Sequence, residues 1–364
     1  MRGLKAGLPK HRLGRTDLLV PNLCFGTMLF GESTPPALAG VLLGSCMEHG
    51  CNFFDTAEMY PVPQSALTTG RSEEILGQWM QGERSVREDV IVATKAAGPS
   101  ATMEWIRGGP SSLDASNITQ AIDSSLRRLQ TDYIDLYQIH WPDRYVPMFG
   151  DVDFDPSCSY TSVPLEEQLR ALGDAVAAGK IRHVGLSNET AWGLMRCCAL
   201  ANTPGLNLPR VACLQNAYSL MCRTFDSSLA EVCHEEGVSL LAYSPLAMGL
   251  LTGKYLASDG GPPGARLNKY KGRYAEAESR YGSRPPVRTA VEAYCRLAAG
   301  AGMSPTELAI RFVVSHPLVA STVVGATSVA QLEELFDAAV QPPMGHELRC
   351  AIDEVHASFP NPTP

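Results

Sequence analysis

The sequence lacks several features that would assign it to a common class of protein. No apolar run approaches the roughly 18 residues that a membrane-spanning helix needs. The chain has 30 basic and 38 acidic residues, and the resulting net charge of −8 argues against binding nucleic acid or an anionic membrane surface. Residues 1–5 are basic, but no apolar segment follows them, which argues against a secretory signal. We therefore expect a cytoplasmic protein. Import into an organelle and the oligomeric state stay open, with a monomer favoured.

The cysteines and histidines form no recognisable metal or disulfide pattern. The eleven cysteines are scattered and odd in number, no two Cys-x-x-Cys pairs occur, and there is no His-x-x-x-His run. We therefore expect no metal and no disulfides, with reduced, mostly buried thiols. The adjacent Cys197 and Cys198 should lie on a helix, one facing inward and one outward, with a redox role as the alternative.

Strand-like and helix-like segments alternate along the whole chain. Such alternation is typical of a parallel sheet covered by helices, and the length of 364 residues suits one barrel with loop insertions. The predicted fold is therefore a single α/β domain over residues 1–364, a (β/α)8 TIM barrel preceded by a hairpin at residues 13–18. The predicted strands are residues 23–25, 51–54, 90–94, 133–139, 182–186, 211–214, 239–242 and 321–324.

Helix signals occupy the intervals between these strands. Asn117 is a predicted N-cap, because apolar residues follow it at helical spacing. Pro164 and the acidic residues after it predict another helix start. Two more helices are predicted at residues 305–314 and 328–338.

Three long segments rich in Pro, Gly, Ser and Tyr interrupt this alternation, at residues 61–70, 144–162 and 258–283. Each follows a predicted strand on the side where barrel enzymes build their active sites. We expect them to form a substrate pocket or a lid, with disordered insertions as the alternative.

Ionisable side chains stand at or just past the ends of three successive predicted strands. Asp55 and Tyr60 follow the second strand, Lys95 the third and His140 the fourth. Parallel strands bring such groups together, and this set suits proton transfer to a carbonyl oxygen. Asp55 could hold Lys95, whose charge would lower the pKa of Tyr60. A neutral His140 could then orient the substrate oxygen.

In these contexts the four residues resemble the catalytic tetrad of the aldo-keto reductases, particularly the branch that includes the bacterial Tas protein and, more distantly, potassium-channel β subunits. The resemblance implies a barrel that binds NADP(H) and an activity that transfers hydride to an aldehyde or ketone, with Tyr60 as proton donor. No Gly-x-Gly-x-x-Gly follows a predicted strand, in agreement with a fold that lacks a Rossmann domain. The similarity runs from about residue 12 to about residue 359 and is most specific in residues 52–61, 129–142, 185–190 and 250–255.

The resemblance also implies a set of binding residues. Polar side chains after the fifth and sixth strands would hold the nicotinamide carboxamide, and Tyr243 would stack on its ring. Residues 244–250 would wrap the pyrophosphate, while Lys254, Arg266 and the segment after the last strand would bind phosphates and adenosine. Substrate would contact Tyr60, His140 and Trp141. The implied cofactor-binding residues are Gly26, Thr27, Met28, Asp55, Ser187, Asn188, Gln215, Tyr243, Ser244, Pro245, Leu246, Ala247, Gly249, Lys254, Arg266, Gly325, Thr327, Gln331 and Glu334.

Two other functions stay open at this stage. The first is a regulatory or redox-sensing barrel that binds NADPH but turns over little substrate. The presence of His140, where the channel subunits carry an amide, favours a working enzyme over this reading. The second is a barrel aldolase in which Lys95 forms a Schiff base with Asp55 as its acid–base partner. That reading leaves the implied cofactor residues without a role.

Overall fold

A closed parallel barrel dominates the computed structural model, which describes residues 7–82, 86–109, 111–282 and 284–364. Within these ranges eight parallel strands pair in chain order, and the last pairs back with the first. A two-stranded antiparallel sheet precedes them. The predicted barrel and hairpin are therefore confirmed. The strands are β1 (Lys10–Arg12), β2 (Leu19–Pro21), β3 (Leu23–Gly26), β4 (Phe53–Asp55), β5 (Ile91–Ala96), β6 (Ile134–Ile139), β7 (Ile181–Ser187), β8 (Val211–Ala217), β9 (Ser239–Tyr243) and β10 (Val319–Val324).

Alternation along the barrel strands separates an inner core from an outer one. In β4, for example, Phe53 belongs to the apolar cluster inside the barrel, whereas Phe54 packs in the larger layer between strands and helices. Leu13 and Val20 from the hairpin are fully buried in the inner cluster. The hairpin thus closes the amino-terminal end of the barrel and leaves the opposite end free to form a site.

Helices cover the outside of the barrel. Short 3-10 turns occur in several loops. The α-helices are α1 (Pro36–Glu48), α2 (Arg71–Met80), α3 (Ala115–Leu129), α4 (Leu165–Ala177), α5 (Ala191–Ala201), α6 (Leu229–Glu236), α7 (Arg266–Lys269), α8 (Ala275–Tyr281), α9 (Pro285–Gly300), α10 (Pro305–Val314), α11 (Val329–Ala339) and α12 (His346–Ser358). Among the described residues, no helix is both long and apolar enough to cross a membrane.

Helix α3 begins earlier than the sequence pattern predicts. Asp114, not Asn117, is its N-cap, and the Asp114 carboxylate accepts the Asn117 backbone N–H at 2.9 Å. Both residue types cap helices well, and the apolar spacing alone did not distinguish them. The other predicted helix starts agree: Pro164 directly precedes α4, and α10 occupies the predicted residues.

The cysteines are free thiols, and most are buried, as expected. The prediction for the adjacent pair is wrong, however, because both Cys197 and Cys198 are buried. Helix α5, which carries them, is packed between α4 and α6 as well as against β8, so it has more than one buried face. Burial raises the pKa of the Cys197 thiol to about 12, which disfavours the reactive thiolate.

The three long segments all follow strands at the carboxyl-terminal end of the barrel, as predicted. The third is not a plain loop, since it contains the short helices α7 and α8. Its last predicted residue, Ser283, lies outside the described residues.

A glycine at the contact between α2 and α3 provides a test of this packing. A Cβ on Gly77 would lie 2.4 Å from the Arg128 carbonyl oxygen, and backbone cannot move aside cheaply. We predict that Gly77→Ala destabilises the protein by about 1–3 kcal/mol despite the better helix propensity of alanine. Gly44 in α1 is the matched control, because a Cβ there meets nothing within 4 Å and alanine should stabilise by about 0.5–1 kcal/mol. Urea unfolding of both variants decides the matter, and equal stabilities would contradict the packing described.

Candidate active site

The carboxyl-terminal ends of the barrel strands surround a cavity of about 1050 Å³. Parallel strands place these ends on one face, so residues far apart in sequence meet there. Asp55 ends β4, Ser187 ends β7 and Tyr243 ends β9. His140 directly follows β6. The predicted strand-end groups thus share one site.

A buried ion pair forms the floor of this site. Lys95 is fully buried, and its Nζ lies 2.5 Å from Asp55 Oδ2 and 2.8 Å from the Thr56 carbonyl oxygen. The other carboxylate oxygen, Asp55 Oδ1, accepts hydrogen bonds from Gln215 at 2.8 Å and Gln138 at 3.3 Å. A buried pair is tolerated only when its remaining hydrogen-bonding capacity is satisfied, and here side chains from β6 and β8 provide those bonds. Gln138 was not predicted, because it lies inside an apolar strand.

Tyr60 lies directly above this pair. The Lys95 Nζ is 5.2 Å from the centre of the Tyr60 ring. The expected lowering of the tyrosine pKa is nevertheless wrong: burial and then the Asp55 charge raise the pKa of Tyr60 well above its usual value. Burial is the largest cause, because it disfavours the charged phenolate. Tyr60 consequently keeps its proton at neutral pH, which suits a proton donor.

His140 faces Tyr60 edge-on, with ring centres 5.5 Å apart and planes at 83°. Burial, followed by the charge of Lys95, holds the pKa of His140 well below its usual value, so the imidazole is neutral as expected. Its Nδ1 is buried without a hydrogen-bond partner in the described part of the chain. Trp141 completes this wall, its indole nitrogen donating to the Pro99 carbonyl oxygen at 2.9 Å.

A chain of polar groups leads from the His140 backbone to Tyr243. The Asn188 side-chain amide donates to the His140 carbonyl oxygen at 2.9 Å, and its Oδ1 accepts from the Tyr243 hydroxyl at 2.7 Å. Arg280, buried in the third long segment, donates to the Tyr243 hydroxyl at 3.0 Å. Asn188 therefore connects the His140 wall with Tyr243. No local signal in the sequence identified Arg280, since it lies 37 residues from its partner.

The loop after β9 has the features of an anion site. Ser244, Ala247, Met248 and Gly249 all have positive φ angles, a conformation in which successive backbone N–H groups form a concave surface. A Cβ on Gly249 would lie 2.8 Å from Cε of Lys254, so glycine lets this lysine lie close to the loop.

Two poorly solvated cations line the cavity next to this loop. Burial lowers the pKa of Lys254, and the neighbouring charge of Arg266 lowers it further. Burial likewise lowers the pKa of Arg266. Two cations in one enclosed place are stabilised by an anion. The residues present therefore fit the pyrophosphate of a dinucleotide.

The segment after β10 provides the far end of the cavity. The Thr327 backbone N–H donates to Gln331 Oε1 at 2.8 Å, and Glu334 accepts from the Ser304 hydroxyl at 3.0 Å. The side chains of both Gln331 and Glu334 reach the cavity from α11. A departure from the predicted set is Leu335, which is buried and also lines this end.

Most of the predicted site residues line the cavity. Thr27 and Ala247 do not line the cavity: both are fully buried behind its wall, where Thr27 donates to the Asp55 carbonyl oxygen at 3.2 Å. Lys95 is also behind the wall, as its ion pair requires. The roles of all the predicted residues stay predictions. The predicted residues that line the cavity are Gly26, Met28, Asp55, Tyr60, His140, Trp141, Ser187, Asn188, Gln215, Tyr243, Ser244, Pro245, Leu246, Gly249, Lys254, Arg266, Gly325, Thr327, Gln331 and Glu334.

Several lining residues come from the long segments and were not predicted individually. Met148 and Phe149 extend from the second of these segments, and Tyr274 and Glu276 from the third. Sequence reasoning identified the segments as pocket-forming but had no signal for which side chains point inward.

Comparison with known proteins gives matches over nearly the whole chain. Residues 22–355 match the model of the Aldo/keto reductase family. Protein tas of Escherichia coli (strain K12) is 41% identical over 354 residues, which are 97% of this chain and 99% of that protein. A probable voltage-gated potassium channel subunit beta of Oryza sativa subsp. japonica is 32% identical, over 96% of this chain and 97% of that protein. Aflatoxin B1 aldehyde reductase member 2 of Mus musculus is 29% identical, over 95% of this chain and 87% of that protein. The resemblance drawn from the strand-end residues is thereby confirmed.

The ion pair between Asp55 and Lys95 can be tested by its effect on the free energy of unfolding. Asp55→Asn removes the charge that compensates a fully buried Lys95, so we predict that the free energy of unfolding falls by about 3–5 kcal/mol. Asp123→Asn is the matched control. Both side chains of its ion pair with Lys180 are more than a third exposed. Solvent screening therefore limits the contribution of this pair to the free energy of unfolding to about 0–1 kcal/mol. Unfolding free energies from denaturant titration compare the two. Equal losses would mean that Lys95 does not depend on Asp55.

Proposed function

Because this chain belongs to the aldo/keto reductase family, whose members are oxidoreductases that use nicotinamide cofactors, we propose that it reduces aldehydes and ketones to alcohols with NADPH. The observation that carries the proposal is the protonated Tyr60 beside the neutral His140 and above the buried Asp55–Lys95 pair. These groups lie at the wall of a cavity large enough for a dinucleotide and a small carbonyl compound.

In this proposal Tyr60 is the general acid. When bound, NADPH would supply a hydride to the carbonyl carbon, and Tyr60 would donate its hydroxyl proton to the carbonyl oxygen. The raised pKa keeps that proton on Tyr60 until the oxygen gains negative charge. The resulting phenolate lies close to the Lys95 ammonium, 5.2 Å from the ring centre, which stabilises it. Neutral His140 holds the substrate oxygen in line with the donor.

The cofactor would extend from the tetrad to α11. Ser187, Asn188 and Gln215 would hold the carboxamide, and the Tyr243 ring, fixed through its hydroxyl, would support the nicotinamide. Lys254 and the loop after β9 would bind the pyrophosphate. Arg266, close to Gly325 at the last strand, would reach the 2′-phosphate that distinguishes NADPH from NADH.

A second candidate is an NADPH-binding regulatory barrel with little turnover. It is favoured by the similarity to proteins named as probable channel β subunits. The complete tetrad favours the enzyme. For either function we infer a cytoplasmic location, which suits the free thiols.

Removing one hydroxyl group tests the enzyme directly. We predict that Tyr60→Phe lowers kcat on 4-nitrobenzaldehyde by about 100-fold or more, because general acid catalysis contributes that much, while the Kd of NADPH changes little. Tyr294→Phe is the control, since its hydroxyl is also buried but lies outside the cavity and has no hydrogen-bond partner among the described residues. Fluorescence titration gives Kd, and NADPH absorbance gives the rate.

The outcomes separate the two candidates. Wild-type rates in Tyr60→Phe would contradict the assigned proton donor. Tight NADPH binding by the wild type without turnover of any aldehyde would favour the regulatory barrel, and absence of NADPH and NADH binding would contradict both.

The cofactor preference has its own test. We predict that Arg266→Met weakens NADPH binding by about 10-fold or more but leaves NADH binding nearly unchanged, because a charge-assisted bond to the 2′-phosphate is lost. Arg273→Met, a mostly exposed arginine in the same segment, is the control. Equal weakening for both cofactors would instead place Arg266 at a phosphate that they share.

A further inference from the structure

An incompletely compensated carboxylate faces the cavity beside the tetrad. In the described part of the chain three carboxylates line this cavity: Asp55, Glu276 and Glu334. Asp55 is paired with Lys95, and Glu334 accepts the Ser304 hydroxyl and lies within electrostatic range of Lys254. Glu276 Oε2 accepts a hydrogen bond from a neutral group, the Tyr274 hydroxyl, at 3.0 Å. The charge of Arg280 favours the ionised form of Glu276 without a hydrogen bond between the two described side chains. The guanidinium of Arg280 donates instead to the Tyr243 hydroxyl and the Pro364 carbonyl oxygen.

Glu276 belongs to the substrate end of the cavity. Its charge is close enough to contribute to the raised pKa of Tyr60. Helix α8, which carries it, is tied to the opposite rim by a hydrogen bond of 2.5 Å from the Ser279 hydroxyl to the Phe149 carbonyl oxygen. This bond connects residues 130 positions apart and holds α8 over the mouth of the barrel.

Part of the cavity that Glu276 lines is apolar or aromatic. Met59, Met148, Phe149 and Trp141 line the same cavity, and burial raises the pKa of Glu276. A half-buried carboxylate gains from a partner that donates a hydrogen bond, and it repels a second anion because solvent screens the two charges only in part.

We propose that Glu276 determines substrate class, selecting carbonyl compounds that carry a hydroxyl or other hydrogen-bond donor and rejecting those that carry a carboxylate. The inference rests on the proposed reductase function and assigns a substrate contact to a residue outside the tetrad. The donor group of the substrate supplies the hydrogen bond that Glu276 lacks. A substrate carboxylate would bring two like charges together in an enclosed place.

Three benzaldehydes that differ at one ring position test this selection. They are 4-(hydroxymethyl)benzaldehyde, 4-methylbenzaldehyde and 4-carboxybenzaldehyde. For the wild type we expect kcat/KM to be about tenfold or more higher for the hydroxymethyl than for the carboxy compound. In Glu276→Gln this ratio should fall at least fivefold. Because each ratio is compared between variants, the electronic effects of the substituents cancel.

Glu278→Gln is the matched control. Glu278 lies on the same helix, is exposed and does not line the cavity, so its variant changes the charge of the segment by the same amount. The wild-type ratio should persist in this variant. A fall in the ratio equal to that of Glu276→Gln would show a general charge effect and overturn the inference.

Turnover of 4-methylbenzaldehyde, which carries neither a donor nor a charge, reports on the proposed function alone. If no aldehyde is reduced, the binding of two alcohols can still be measured in the presence of NADP⁺. They are 1,4-benzenedimethanol and 4-(hydroxymethyl)benzoate. Protein fluorescence reports their binding, since Trp141 lines the cavity. Tighter binding of the diol in the wild type, lost in Glu276→Gln, supports the inference. Equal binding, or no binding of either compound, overturns it. A changed Kd for NADPH with unchanged aldehyde ratios would also overturn it, because Glu276 would then contact the cofactor ribose.

Discussion

The buried pair of Asp55 and Lys95 is the constraint on which the site depends. Lys95 has no contact with solvent, so its charge is stable only because a carboxylate, a carbonyl oxygen and two glutamines surround the pair. Those groups come from β4, β5, β6 and β8 and from the turn after β4. Closing the barrel therefore assembles the pair, and the pair in turn places a fixed charge beneath Tyr60.

Charges of both signs line the cavity above this pair. Lys254 and Arg266 provide positive charge and Glu276 provides negative charge, and the charges of Arg266 and Glu276 act on Tyr60 with opposite signs. The third long segment contributes both signs, Arg266 from α7 and Glu276 from α8. One segment thus joins the proposed phosphate contacts to the proposed substrate contacts, and its bond to the Phe149 carbonyl oxygen closes the cavity across the barrel.

The predictions from sequence succeeded where the signal is local and failed where it is not. Apolar runs identified the barrel strands, because buried parallel strands must be continuously apolar. The N-cap of α3 was misplaced by three residues, since Asp114 and Asn117 are equally good caps. The predicted direction of the Tyr60 pKa shift was wrong because burial and the Asp55 charge, which raise the pKa, outweigh the nearby positive charge. Both Cys197 and Cys198 are buried because α5 has several neighbours, which a helical wheel does not reveal.

The sequence by itself determined the barrel and the residues at its strand ends. Each short segment shows by its own composition where an apolar strand lies and which polar residue ends it. Closure of the parallel strands into a barrel then brings all the strand ends to one face. Only the tertiary structure decided that Gln138 supports Asp55, that Arg280 holds Tyr243 and that Glu276 faces the cavity. These contacts depend on how a long segment folds back across the barrel. Its path is set by bonds between residues far apart in the chain, such as Ser279 with the Phe149 carbonyl oxygen, which leave no periodic pattern in the sequence.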